Sequence, residues 1–175
     1  MALPRYSVLT GAPGAGKTTL LEAVAAAGHS ISPEGARTIL QAPGGMELRS
    51  NDPLGFAEAM LESHRREWER HRSVEGLVLF DRGFADVVGF LDVSGLPISP
   101  AIDRACRELR YDGPILRAAA WRAIYAQDQE RIQDWDAAVA SDEAVTAAWW
   151  RYGYRPITLP FAPVAERLRF LQSLI

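Results

Sequence analysis

The sequence predicts an α/β fold: a central parallel sheet of about five strands with helices on both faces, three layers in all. Three observations carry that expectation. Short apolar runs alternate with helix-patterned stretches from end to end. The run Leu77-Val78-Leu79-Phe80 has no polar alternation, as a strand covered on both faces requires. A glycine-rich turn beginning at Gly11 separates the first strand-like run from the first helix-like one.

The elements follow in order. Residues 6–10 form a short apolar strand that enters the glycine-rich turn, and 17–27 read as a helix ended by Gly28. Residues 30–32 make a brief second strand. Residues 33–40 read as a short helix with Pro33 at its first position, where the missing N–H matters least. Residues 41–53 hold Pro43, Gly44, Gly45, Asn51, Asp52 and Pro53, and predict a loop. A long helix over 54–72 shows Phe56, Met60, His64 and Trp68 on one face. After the strand at 77–80, helices are expected over 84–91 and 100–109, and a strand over 115–119. Residues 124–152 are helix-rich, with Trp135, Val139, Val145, Trp149 and Tyr152 near one side. A last strand at 156–159 precedes a helix over 163–174 that points Val164, Leu168 and Leu171 inward. No repeat, low-complexity tract or linker divides the chain, so residues 1–175 read as one domain.

Composition narrows the class. A hydrophobic fraction of 48% with 23% charged residues argues against intrinsic disorder. A net charge of −3 argues against an obligatory nucleic-acid binder. One cysteine, Cys106, cannot close an internal disulfide, and its ligation of a metal is not expected. No apolar run approaches the ~18 residues of a membrane span, and no charged-then-apolar leader opens the chain. The expectation is a soluble cytoplasmic domain. The basic residues are skewed: of 19, only Lys17 is lysine. A coding bias toward arginine accounts for the skew but not for the exception.

Lys17 lies inside Gly11-Ala12-Pro13-Gly14-Ala15-Gly16-Lys17-Thr18, a full match to G-x-x-x-x-G-K-[ST]. Glycines let successive backbone N–H groups turn inward around a phosphate chain. The helix that begins there adds its partial positive charge. Lysine reaches the β- and γ-phosphates as a slim ammonium that a planar guanidinium could not replace, and Thr18 offers a hydroxyl to Mg²⁺. Residues 11–19, with Thr19 as the last, are the expected ATP contacts. The bland alternative is a tight strand-to-helix turn.

Other polar residues fall where strands of such a fold end. Asp81 closes the buried run at 77–80 and is the second expected Mg²⁺ residue, or in place of Glu34 the base that takes an acceptor's proton, unless it merely caps the next helix. Arg82 follows it and places a cation near the same pocket. Glu34, after the second strand, could take a proton from an acceptor hydroxyl or orient a water; it could also only stabilise the helix dipole. Arg37 stands one turn later. Arg122 and Arg131 lie in a candidate helical lid over about 121–134, where they could close on phosphates or sit on a solvated helix. The run from His64 to Arg72 is interleaved with glutamates and reads as a solvated face, with Arg65 and Glu69 as an i,i+4 pair. Asp52 and Asp86 are loop or helix-start acids without an assigned role.

This ordered set resembles the small bacterial AAA-type ATPases, single-domain P-loop proteins related in layout to nucleoside and ribosylnicotinamide kinases. The likeness rests on residues 11–18, Glu34-Gly35-Ala36-Arg37, Phe80-Asp81-Arg82-Gly83 with Asp86, Ile124-Tyr125, Asp128, Glu130-Arg131, Gly153-Tyr154 and Leu159-Pro160. Ala118-Ala119-Ala120 departs from it, because that family tends to carry prolines before the tryptophan that is Trp121 here. The resemblance implies a three-layer P-loop fold of kinase-like topology, with Glu34 beside an acceptor and Asp81 and Arg82 at Mg²⁺ and the phosphates.

Three functions fit: a Mg-ATP-dependent phosphotransferase acting on a nucleoside- or nucleotide-like small molecule, an ATPase without an acceptor that drives a regulatory or conformational change, or a nucleotide-binding module without turnover. A guanine-reading Asn-Lys-x-Asp motif is impossible with Lys17 as the only lysine, and a ring-forming motor needs a longer chain. No nucleic-acid or membrane partner is expected.

Overall fold

A computed structural model describes residues 5–125 and 134–175. Its strands are β1 (Arg5–Gly11), β2 (Ser30–Ser32), β3 (Leu77–Asp81), β4 (Ile115–Ala118) and β5 (Ile157–Thr158). The helices are α1 (Lys17–Ala26), α2 (Gly35–Gln41), α3 (Gly45–Asn51), α4 (Pro53–Arg70), α5 (Phe84–Val93), α6 (Pro100–Glu108), α7 (Trp135–Arg151) and α8 (Val164–Gln172). The strands form one parallel sheet in the order β2-β3-β1-β4-β5.

Each sheet face has its own core. Tyr6, Val8, Val78 and Phe80 pack with Trp68, Phe84, Tyr111 and Trp149 under α4 to α7. Leu9, Leu77, Leu79 and Leu116 pack with Leu20, Val24 and Leu171 under α1 and α8. Side chains of a strand alternate between faces, so neighbours such as Val8 and Leu9 serve different layers. Edge-to-face ring contacts link Tyr6 to Trp68 at 4.5 Å and to Phe80 at 5.0 Å.

Several expectations need correction. The 41–53 stretch is not a plain loop, because α3 occupies its middle. Its Pro and Gly residues stand at the entrance and Asn51-Asp52-Pro53 at the exit, so the breakers mark ends rather than an interior. Pro33 does not open α2; Glu34 is the N-cap and the helix begins at Gly35. Val164 is not inward but 36% exposed, while Arg167 on the same helix is 5% exposed. Among the described residues, Glu69 pairs with Arg72 at 3.2 Å rather than with Arg65. Asp52 is the N-cap of α4, accepting from the Gly55 N–H at 2.9 Å. Among the described residues no helix is long and apolar enough to cross a membrane.

Register places the site. Leu9 pairs with Asp81, Ser32 with Phe80, and Gly11 with Ala118. The carboxyl ends of β1, β2, β3 and β4 therefore open onto one edge, where ligands bind in open parallel sheets. Close helix packing supports that edge. A Cβ on Gly89 of α5 would lie 2.6 Å from Cγ1 of Val145 on α7, so only glycine permits this approach.

Candidate active site

Gly11 ends β1 with φ +119°, and a Cβ there would lie 2.1 Å from the Ala118 carbonyl oxygen. Glycine is thus required twice over, by backbone conformation and by contact with β4. Ala12 N–H donates to that same carbonyl at 2.9 Å. The chain then turns through Gly14 and Gly16, both at positive φ, into α1. Among the described residues no side chain caps α1, and its first turn holds no acid, so its first amide groups are left for a ligand of the loop.

Lys17 is buried and donates from Nζ to the Ala12 carbonyl at 2.6 Å. Burial pushes its ammonium down to about 8, Arg82 adds to that, and Asp81, Glu34 and Asp86 oppose it. Thr18 and Thr19 are exposed beside it. Asp81 is buried, and its Oδ1 has no hydrogen-bond partner among the described residues. Burial and then the Glu34 carboxylate push Asp81 up to about 6, against the pull of Lys17 and Arg82. It does not cap α5, whose N-cap is Gly83.

Arg82 is the non-glycine residue at positive φ, +67°, among the described residues. Its N–H donates to the Leu9 carbonyl at 3.0 Å. Its guanidinium donates from Nε to Glu34 Oε1 at 3.1 Å, and from Nη1 to the Gly11 carbonyl at 3.2 Å and Asp86 Oδ1 at 3.1 Å. Burial alone would lower its pKa; Glu34, Asp86 and Asp81 more than reverse that. Burial would likewise raise Glu34, but Arg82, Lys17 and Arg37 hold it below the usual carboxylate range. Arg37 Nε stands 4.0 Å from the other Glu34 oxygen. The structure thus brings Lys17, Glu34, Asp81 and Arg82 to one place.

Arg122 is not brought to that place; it is exposed and stacks over the Trp135 ring at 5.0 Å. Arg131, with Asp128 and Glu130, lies outside the described residues, as does most of the expected lid.

Several participants were not singled out from sequence. Thr10 donates its hydroxyl to Asp86 Oδ1. His64 of α4 lies against Phe84 with ring centroids 5.9 Å apart. Burial pushes His64 down to about 4, so its imidazole is neutral at physiological pH. Arg167 reaches from α8 to donate from Nη1 to the Ala15 carbonyl at 2.9 Å, bracing the loop from behind. Asp142 of α7 takes a bidentate pair from Arg117 at 2.9 and 2.8 Å and a third bond from Ala120 N–H at 3.0 Å. A pattern could have exposed two of these. Arg167 falls in the helical stripe 164/167/168/171 and Asp142 in the stripe 138/142/145/149, each a lone charge on an apolar face.

A parallel sheet with a G-x-x-x-x-G-K-T loop at its centre, a lysine in that loop and an acid on the adjoining strand defines a nucleotide-binding P-loop protein of kinase-like fold. The chain belongs to the AAA domain family, which matches it over residues 7–167. No curated protein matches it in sequence. Among solved structures, a deoxyadenosine kinase from M. mycoides with the products dCMP and a flexible dCDP bound superposes with a TM-score of 0.70 at 14% identity. That alignment covers 96% of this chain and 97% of the kinase. The dATP-bound form of that kinase gives 0.69 at 12% identity with the same coverage. A NadR protein in complex with NR gives 0.70 at 13% identity, covering 98% of this chain and 50% of NadR.

Proposed function

We propose that the protein is a Mg-ATP-dependent phosphotransferase whose acceptor is a hydroxyl of a nucleoside-like small molecule. The observation that carries this reading is the Glu34 carboxylate, fixed by Arg82 beside Lys17 and Asp81. A bare ATPase needs a positioned water, whereas a carboxylate held apart from the loop on a neighbouring strand end suits a bound hydroxyl. The deoxyadenosine kinase that shares the fold holds dCMP, dCDP or dATP, and the NadR protein holds NR, which supports a small molecule of the same class here.

The roles follow from the residues. Residues 11–19 wrap the ATP phosphates, and Lys17 turns from Ala12 to the β- and γ-oxygens. Trp121 and Phe161, with ring centroids 5.4 Å apart, and Ile124 offer an apolar wall for the base next to Gly16. The acceptor oxygen attacks the γ-phosphorus, its proton passes to Glu34, and the bond to the β,γ-bridging oxygen breaks to leave ADP. Arg82 neutralises Glu34 before the reaction and adds positive charge near the phosphoryl group. Arg122 and Arg131 are assigned to the same charge by their place in the chain after β4. The orphaned, buried Asp81 Oδ1 and the exposed Thr18 hydroxyl suit Mg²⁺, a cation that takes few protein oxygens and keeps waters and phosphates as its other ligands. When bound, Mg²⁺ neutralises charge on the β- and γ-phosphates.

ADP release from MgATP, measured with and without a panel of nucleosides, nucleotides and small sugars, tests the reading. Acceptor-dependent turnover that Glu34→Gln lowers by about 10²–10⁴-fold is the expected outcome. Acceptor-independent turnover lost in Asp81→Asn points instead to an ATPase. Binding without turnover under every condition sinks both.

A further inference from the structure

Asp86 sits in the first turn of α5 with its carboxylate buried, and among the described residues it accepts from four donors, on β1, on α7 and on two neighbouring residues of the β3–α5 connection. Oδ1 takes the Thr10 hydroxyl of β1 and Arg82 Nη1 at 3.1 Å. Oδ2 takes the Gly83 N–H at 2.9 Å and the Trp149 indole N–H of α7 at 3.2 Å. Gly83 N–H belongs to the peptide that follows Arg82. Asp86 therefore grips Arg82 at both ends, by its guanidinium and by its outgoing peptide.

That grip falls on the residue with the unfavourable backbone. A non-glycine φ of +67° persists only where surrounding contacts over-determine it. Glycine would relieve the strain but would remove the guanidinium that meets Glu34. Glu34 cannot hold Arg82 alone, since it follows a strand of three residues and its side chain is 23% exposed.

We infer that Asp86 is the positioning residue of this site: it fixes the Arg82 guanidinium against Glu34, and through Trp149 it ties that arrangement to α7. The inference rests on the reading of Glu34 as the acceptor base, but its structural half can be tested without turnover.

A carboxylate is needed because it only accepts. An asparagine amide has one accepting and one donating end. Turned one way, its NH₂ meets the Gly83 and Trp149 N–H groups; turned the other way, it meets Arg82. Neither orientation satisfies the donors, so Asp86→Asn should loosen the grip on Arg82, at its guanidinium or at its outgoing peptide, although its shape is almost unchanged.

The test compares wild type with Asp86→Asn. One readout is the Arg82 Nε–H signal in ¹H–¹⁵N spectra, assigned from Arg82→Lys, with the paired Arg117 Nε–H as internal reference. The other is the kinetic split between ATP and acceptor. The expected result is loss or fast exchange of the Arg82 signal with Arg117 unchanged, and a fall of about a hundredfold in acceptor-dependent kcat while ATP binding stays within about threefold. An Arg82 signal and a kcat both unchanged in Asp86→Asn overturn the inference. Wild-type turnover that ignores every acceptor removes the base reading, and the spectra still decide whether Asp86 fixes Arg82. If Asp86→Asn does not fold, Trp149→Phe removes one of the four donors: faster Arg82 Nε–H exchange supports the inference, and unchanged exchange overturns it.

Discussion

Lys17 donates from Nζ to the Ala12 carbonyl at 2.6 Å, so the loop's lysine is bonded back onto the loop it serves. Its ammonium is buried among Arg82, Asp81 and Glu34 and is held below its ordinary pKa. It therefore serves a ligand at some expense to the fold. Lys17→Met should weaken ATP binding by on the order of 3 kcal/mol, roughly a hundredfold in Kd. The Tm should not fall, because the substitution removes a poorly solvated charge. Calorimetric titration and thermal unfolding check the two halves; a variant that binds ATP normally sinks the loop assignment.

The same lysine gives binding a pH signature. With the folded-state value pushed down to about 8, the free site begins to lose its proton on the alkaline side of neutrality. Phosphate oxygens favour the charged form, so binding near pH 8 should take up a proton and ATP affinity should decline as pH rises above 8. For stability the sign is opposite. The unfolded chain holds this proton more tightly, so this group's contribution to stability rises with pH between about 8 and its unfolded value near 10.4. Calorimetry in buffers of differing ionisation enthalpy reads the proton count directly.

Asp81 makes the complementary case. Burial and Glu34 raise it to about 6, so its folded value lies above the unfolded one. The folded state then binds the extra proton between about 3.9 and 6, and this group's contribution to stability falls as pH rises through that window. Mg²⁺ requires the ionised form, so Mg²⁺-dependent ATP binding should weaken as pH drops below 6. Asp81→Asn should abolish that Mg²⁺ dependence without lowering Tm. A pH series of binding with and without Mg²⁺ decides it, and a Mg²⁺ effect that survives in Asp81→Asn rules out the assignment.

Where sequence and structure agree, one local rule determines the outcome. The glycine-lysine loop between strand and helix, the buried run ending at Asp81, and the period-four face of α4 are set by spacing alone. Glu34, Asp81 and Arg82 could be placed near the loop because parallel strands deliver their carboxyl ends to one edge. What stayed hidden depends on distance along the chain. Asp86 meets Thr10 across 76 residues and Trp149 across 63, and no pattern within α5 announces either partner. The position of Arg122 allows either a phosphate contact or a solvated helix, and the place of its guanidinium over Trp135 depends on where α7 begins.

Asp142 and Arg117 form the buried pair that fixes α7 to the end of β4. Asp142 is 2% exposed, and among the described residues it accepts three bonds, from Arg117 and the Ala120 N–H. Asp142→Ala strands the guanidinium and one backbone N–H together. Arg117 keeps a quarter of its side chain in water, so the loss should be about 2–4 kcal/mol, near the lower end for a broken buried pair. Urea unfolding should show the midpoint falling at unchanged slope. A loss under about 1 kcal/mol would mean the pair behaves as a surface bridge.

Arg167 braces the phosphate loop from α8. It is 5% exposed, donates to the Ala15 carbonyl at 2.9 Å, and its Nε has no hydrogen-bond partner among the described residues. Burial lowers its pKa, and no acid among the described residues offsets that. A cation kept in such a place stabilises the fold poorly, and its position directly behind the loop suits the phosphate charge that arrives in front. Arg167→Met keeps most of the apolar stem and removes the charge. ATP affinity should drop about tenfold, an effect of roughly 1.4 kcal/mol, while Tm holds or rises. Arg167→Lys should recover part of the affinity, since the charge returns without the fork that reaches Ala15. Equal affinity for all three proteins would reduce Arg167 to packing alone.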